Sequence, residues 1–346
     1  MTKGDIIVVT GATGFIAKHV MAQLLDAGFR VRATLRNPDK SQQVHKTIDG
    51  MCASPINERL ELVQCDLLAD EGWKQAMDGA RALMHLAAYV PAREPKKEES
   101  VIRPSLEGSE RVLNFALDAG INRVVMTSSI AAIGYGHKYA GSSVDFTADD
   151  WTDVVGLKDS WAYPKAKVLA EKLAWKIADE KGLDLTCICP SMVFGPIPDN
   201  DTSASLEVIK QLMTGQIPAI PPGGLSVIDV RDVAKIHVSA LNDDKTFGQR
   251  IIASAQYIKF TQIAEILGTK YPSAKIPRFI APILLLKIVG VFSRTIRQIV
   301  ADLDVVRNYD GSAGEQLLGC KYFDASDASL ASARSLIELG LVKLPD

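Results

Sequence analysis

The sequence predicts an α/β protein: a doubly wound parallel sheet with a smaller, mostly helical lobe at its C-terminal side. Two observations carry this reading. Short β-branched runs alternate with helical stretches as far as residue 190, an order that specifies parallel strands covered on both faces. The chain also opens on a strand, a glycine turn and a helix, DIIVVTGATGFIAKHVMAQLLDAG, residues 5–28. Ile6 to Val9 form an apolar β-branched strand. From Phe15 the apolar residues recur at helical spacing, as Ile16, Val20, Leu24 and Ala27, and Gly28 closes the helix.

This turn suits a diphosphate. Glycines let the backbone approach a ligand closely, while the free N–H groups and dipole of the helix start face an anion. Gly11, Thr13, Gly14, Phe15 and Ile16 are the residues placed against it. The pattern directly follows the first strand, the context of a Rossmann-type dinucleotide site.

The second strand is RVRATL, residues 30–35, and it ends at Arg36 with Lys40 in the next loop. An acid at that strand end would bind ribose hydroxyls; a guanidinium binds a 2′-phosphate. The expected cofactor is therefore NADP(H). Residues 39–58 read as helix plus loop, and LELVQ, 60–64, as the third strand. Asp66 and Leu67 follow it, where an acid can meet adenine or cap the next helix. The fourth strand lies within 80–88; its small Ala87 would let a ribose pass, and Tyr89 and Val90 are placed on the substrate side. A charged surface run, then a helix from about Pro104 to Ala119, leads to the fifth strand, RVVMTSS, 123–129. Residues 134–143 are expected to form a mobile loop, with His137 solvated. A helix over 160–182 precedes the sixth strand, DLTCICP, 184–190.

After Pro190 the composition turns rich in proline, glycine and small polar residues, which marks a lobe boundary. A helix is expected over 206–214, a return to the sheet followed by a helix over 227–241, and a strand over 250–254. Residues 1–190, completed by 226–255, are assigned to the dinucleotide-binding domain; 191–225 and 256–346 to the substrate lobe. Within that lobe FIAPILLLKIVGVF, 279–292, is too short to span a bilayer and reads as a helix burying one face.

Tyr163 and Lys167, four apart, project from one helical face after a strand that ends in Ser128 and Ser129. These three types work together in carbonyl reduction. A carbonyl that accepts hydride builds charge on oxygen, and a positioned phenol can protonate it. A free phenol titrates near pH 10 (about 10), and a nearby ammonium favours its ionised form. A serine hydroxyl polarises the same oxygen. Tyr271 and Lys275 repeat the spacing, but with no preceding sheet-end serine the repeat is incidental.

TGATGFIA, the TSS strand end, YPKAK and CPSMVFGP together resemble an extended short-chain dehydrogenase/reductase over almost the full length. The chain is most similar to the dihydroflavonol-4-reductase-like branch with its bacterial and yeast carbonyl and aldehyde reductases. The resemblance implies Ser129, Tyr163 and Lys167 as catalytic residues. It matches Gly11, Gly14 and Ala17 to the cofactor glycine positions, Ala17 being a departure from glycine. It also supports Arg36 at the NADP phosphate, and Pro190 joins Ala87, Asp66, Leu67, Lys40, Tyr163 and Lys167 around the cofactor. Sugar-nucleotide epimerases and dehydratases share the triad but usually carry an asparagine after the sixth strand. Here Met192, Val193 and Phe194 follow, apolar residues suited to an uncharged carbonyl substrate. The expected activity is NADPH-dependent reduction of a ketone or aldehyde to an alcohol. Alternatives are an epimerase/dehydratase, a hydroxysteroid-type dehydrogenase, or a non-catalytic NADP(H)-binding redox sensor.

Composition sets the remaining expectations. The 346 residues are 47% hydrophobic and 23% charged, with net charge −2, which gives no electrostatic reason to expect nucleic acid or an anionic membrane. The five cysteines show no metal-ligand spacing, so no metal is expected, and Cys187 and Cys189 read as core. A cytoplasmic protein, monomeric or homodimeric, is the expectation.

Overall fold

The computed structural model describes residues 1–89, 97–138, 142–157, 161–201, 203–292 and 305–345. Seven strands form the main sheet: β1 (Ile6–Thr10), β2 (Arg30–Leu35), β3 (Leu60–Gln64), β4 (Ala82–His85), β5 (Arg123–Thr127), β7 (Asp184–Pro190) and β10 (Gln249–Ala253). Their order is β10-β7-β5-β4-β1-β2-β3, and every pairing is parallel. Strand order reverses between β1 and β4, which opens a crevice at their carboxyl ends, the place where such sheets bind ligands.

Strand alternation decides which layer each side chain joins. Ile7 and Val9 of β1 belong to one fully buried cluster with Leu24 and Val31, while Val8 joins Trp73, Leu113 and Leu185 on the other face. Helix α1 (Phe15–Asp26) covers the first face, packed on α2 (Ser41–Met51) and α7 (Val230–Asn242). Short α3 (Trp73–Met77), α4 (Glu99–Asp118) and α5 (Ala162–Lys181) cover the second. Cys187 and Cys189 are fully buried, as expected of core residues.

The lobe differs from expectation in its strands. Past Ser191, strand β8 (Met192–Phe194) continues from β7, and β11 (Gln256–Lys259) continues from β10. Strand β9 (Gly224–Asp229) inserts between β8 and β11 and never reaches the main sheet. The edge place beside β7 is taken by β10. Of the stretch expected to be a loop, 134–143, residues 139–141 lie outside the described residues, and Ser143 opens a further strand, β6 (Ser143–Phe146), paired in parallel with β12 (Val306–Tyr309); Phe146 stacks on Tyr309 with ring centroids 5.3 Å apart. The remaining helices among the described residues are α6 (Ala204–Thr214), α8 (Phe260–Lys270), α9 (Ile283–Phe292), α10 (Ser312–Leu318) and α11 (Ala325–Glu338).

Two helices correct the sequence reading. Helix α4 begins at Glu99 and contains Pro104. The missing proline N–H leaves one carbonyl unbonded near an end already fixed by Glu98, whose carboxylate pairs with Lys165 on α5 at 2.9 Å. Helix α9 does not bury its apolar face among the described residues: Leu284, Leu285, Ile288 and Val291 are all more than half exposed. No described helix is long and apolar enough to cross a membrane.

Two core histidines tie helices and loops to strand ends. The His237 Nδ1–H donates to the Val233 carbonyl at 2.8 Å, so its Nε2 accepts from Thr127 Oγ1 at 2.7 Å. Thr10 Oγ1 accepts from the backbone N–H groups of Leu86 and Ala87 and donates to His85 Nδ1 at 2.9 Å. Burial lowers His85 to about 3 and His237 to about 4, against an ordinary 6.5. The unfolded chain therefore binds more protons below pH 6.5 (about 6.5), and stability present above that pH is lost as pH falls toward the folded values. We predict that urea stability falls between about pH 7 and pH 5, with each histidine contributing about 1.4 kcal/mol per pH unit in the lower half of that window. His237→Asn should flatten the slope by one proton; an unchanged slope contradicts the assignment.

Candidate active site

The crevice floor is built by the first glycine turn. Gly11 has φ +79°, and a Cβ there would lie 3.1 Å from the Ala87 Cα. Only glycine combines that conformation with so close an approach. The turn is held by Ala12 N–H donating to the Thr34 carbonyl at 2.7 Å and Gly14 N–H donating to the Gly11 carbonyl at 2.8 Å. Gly14 precedes α1 without a side-chain cap, which leaves the first-turn N–H groups for an anion. Ala17, at the third glycine position, is buried at 2% exposure in the helix–strand packing. These features fit a dinucleotide diphosphate.

Thr13 and Ile16 are half-buried at the turn. Phe15 is buried against His19 in an edge-to-face contact, centroids 5.6 Å apart, so only its backbone faces the crevice. Asp66 accepts from the Leu68 N–H at 2.9 Å; it closes a turn rather than capping α3, whose start is Gly72. The Leu67 carbonyl already accepts from Arg111 at 2.7 Å.

At the end of β2 the two predicted cations differ. Arg36 is exposed, and its guanidinium makes no hydrogen bond or ion pair among the described residues. Lys40 is already paired with Asp201 at 2.7 Å. Nearby, the buried Lys18 on α1 pairs with Asp199 at 2.6 Å, and Asp199 also accepts from Thr47 on α2 at 3.0 Å. The loop after β8 is thus clamped onto the cofactor half, an arrangement the sequence reading missed because the partners are 181 and 152 residues apart.

The side expected to be catalytic lies at the carboxyl ends of β5 and β7. Ser129 follows β5, and its Oγ accepts from the Ala131 N–H at 3.1 Å, which leaves the hydroxyl proton free to point elsewhere. Tyr163 and Lys167 stand one turn apart near the start of α5, both half-buried. Lys167 Nζ donates to the Thr127 carbonyl at 3.2 Å and lies 6.0 Å from the Tyr163 ring centroid. This bond ties the helix to the strand end that carries Ser129. Lys167, one helical turn from Tyr163, thus reaches the carboxyl end of β5, which Ser129 follows. Ser128, the neighbour, turns the other way and donates to the buried Glu171.

The predicted substrate residues divide. Tyr89 is exposed, and Val90 lies outside the described residues. Met192 is half-buried, but Val193 and Phe194 are corrected: at 6% and 0% exposure they belong to the main core, covered by the lobe helices. Pro190 is buried at the end of β7. His137 is exposed, as expected, and its Nε2 meets the Trp151 carbonyl at 2.9 Å. No group of three or more metal-ligating side chains occurs among the described residues.

Known proteins resemble this chain closely. The family described as NAD dependent epimerase/dehydratase matches residues 7–253. A cinnamoyl-CoA reductase of Petunia hybrida is 33% identical over 278 residues, 79% of this chain and 80% of the relative. A tetraketide alpha-pyrone reductase of Arabidopsis thaliana is 32% identical over 270 residues, 77% of this chain and 82% of the relative. The crystal structure of yeast methylglyoxal/isovaleraldehyde reductase complexed with NADPH has the same fold, with TM-score 0.80 and 24% identity over 97% of this chain and 100% of that one. The dihydroflavonol reductase-like resemblance read from the motifs thus holds in reductase relatives, and the chain belongs to the NAD dependent epimerase/dehydratase family, the extended short-chain dehydrogenase/reductases.

Proposed function

We propose that this protein reduces a ketone or aldehyde to an alcohol with NADPH. The observation that carries the reading is the bond of Lys167, one helical turn from Tyr163, to the strand end that Ser129 follows, in a sheet that also carries the uncapped Gly11–Gly14 turn. The reductase relatives support the reaction class, and the NADPH-bound yeast structure of the same fold supports the cofactor. An apolar Met192 beside the site favours an uncharged carbonyl over a sugar nucleotide.

Gly11, Thr13, Gly14 and the backbone of Phe15 and Ile16 would hold the diphosphate, and Arg36 the 2′-phosphate. Bound NADPH supplies the hydride that adds to the carbonyl carbon. The remaining work belongs to the chain. The Tyr163 hydroxyl gives its proton to the carbonyl oxygen as charge builds there. The Ser129 hydroxyl, with its acceptor side already engaged by Ala131, donates to the same oxygen. Lys167, anchored on Thr127, keeps a cation within reach of the phenol and the cofactor ribose.

Two measurements test this. With NADPH and a panel of aromatic and aliphatic carbonyls, Tyr163→Phe should lower kcat at least about a hundredfold with cofactor affinity unchanged, since proton donation contributes about 10²–10⁴-fold. Equal rates in both proteins contradict the role. For the cofactor, a charge-assisted contact to the 2′-phosphate contributes about 1.5–3 kcal/mol, so NADPH should be preferred over NADH by at least about tenfold in kcat/KM. Arg36→Ala should remove most of that preference with little change for NADH, and added salt should erode it. Equal use of both cofactors by the wild type makes Arg36 an ordinary surface residue.

A further inference from the structure

Two turns beyond Tyr163 and one beyond Lys167, on the same side of α5, stands a carboxylate that touches no solvent. Glu171 has 0% exposure. It accepts from the Ser128 hydroxyl, from the Trp175 indole N–H at 3.2 Å and from Arg250 Nε at 2.6 Å. Arg250, on β10, extends the linkage. Its guanidinium donates to the Asp150 carbonyl at 2.7 Å and to the Ala148 carbonyl, and lies 3.8 Å from the Trp151 ring centroid. The next residue, Thr152, returns to the strand end: its hydroxyl donates to the Ala131 carbonyl at 2.8 Å and its N–H to the Ala132 carbonyl at 2.9 Å. Ala131 is the residue whose N–H holds the Ser129 hydroxyl. The bonds thus form a closed circuit, Ser128–Glu171–Arg250–loop 148–152–Ala131–Ser129.

Stability alone does not account for this arrangement. A buried ion pair loses much of its attraction to desolvation, and apolar pairs of similar volume often serve the fold equally well. What the circuit does supply is a fixed distance between two elements. One element carries Ser129, the other Tyr163 and Lys167. We propose that Glu171, held by Arg250, is a positioning residue that sets the separation between the Ser129 hydroxyl and the Tyr163 phenol. The proposal rests on the reductase reading for its catalytic consequence, but the separation itself is a structural quantity.

The test uses the full chain in three forms: wild type, Ser128→Ala, and the double variant Glu171→Met with Arg250→Met. Crystal structures give the Ser129 Oγ–Tyr163 Oη separation, thermal unfolding gives Tm, and kinetics with NADPH and the fastest carbonyl of the panel give kcat and KM. In both variants the separation should change by about 0.5 Å or more, the scale on which catalytic groups lose their alignment. In the double variant, kcat should fall about tenfold or more while KM for NADPH stays within about twofold and Tm stays near the wild-type value. A structural role alone predicts that kcat recovers with Tm. An unchanged separation overturns the proposal, and so does a changed separation with full kcat. If the double variant does not fold, Ser128→Ala decides by the same criteria, because it deletes one hydroxyl and leaves the ion pair in place. If the wild type reduces no carbonyl, the reductase reading fails, while the separations still decide whether Glu171 sets the geometry.

Discussion

The structure depends on how closely the first glycine turn can approach the end of the fourth strand. Gly11 comes within ordinary contact of the Ala87 backbone, and a side chain there would meet it at 3.1 Å. Thr10, one residue earlier, secures that approach. Its hydroxyl receives the N–H groups of Leu86 and Ala87 at 3.0 and 2.9 Å, beyond the strand pairing of β1 with β4 that ends at Met84. Two strands of a parallel sheet diverge at a switch point unless something holds their ends, and here a single buried hydroxyl does so. The consequence is a crevice with a backbone floor, an uncapped helix at one side and strand ends at the other.

On the far side of that crevice the same problem recurs with different groups. The helix carrying Tyr163 has no strand-like ladder to fix it against β5. Its attachment near the site consists of Lys167 on the Thr127 carbonyl and Ser128 on Glu171. Thr127 is itself held from below by His237, which stays neutral in the fold because burial lowers its affinity for a proton. The candidate site and the polar core are therefore joined in one network here. Of the groups proposed to touch a substrate, Ser129 accepts from the Ala131 N–H and Lys167 is held by the Thr127 carbonyl.

Much of this was legible in the sequence because it is local. A strand, a glycine turn and a helix are adjacent in the chain, so Gly11 and Gly14 declare themselves; Tyr163 and Lys167 are one helical turn apart. The rule that ligands meet parallel strands at their carboxyl ends pointed to Ser128 and Ser129 alike, and the family resemblance chose Ser129. What was not legible is pairing across the chain. Glu171 and Arg250 are 79 residues apart, and Lys40 and Asp201 are 161 apart, so nothing in spacing marks them as partners. The same limit explains β9. Its apolar run suits either sheet, and the choice was made by β10, which takes the edge beside β7. Val193 and Phe194 failed as pocket residues for a related reason: an apolar run after a strand end cannot say which of its members the lobe will cover.

The central claim is net hydride transfer from the cofactor to a carbonyl carbon, and isotope labelling addresses it directly. The protein is supplied with NADPH carrying deuterium at both C4 positions and with the carbonyl it consumes fastest, and the alcohol is analysed by mass spectrometry and NMR. The account predicts one deuterium per product molecule, located on the carbinol carbon, with one equivalent of NADP⁺ formed. An alcohol without deuterium, or consumption of substrate with no net oxidation of the cofactor, would contradict it.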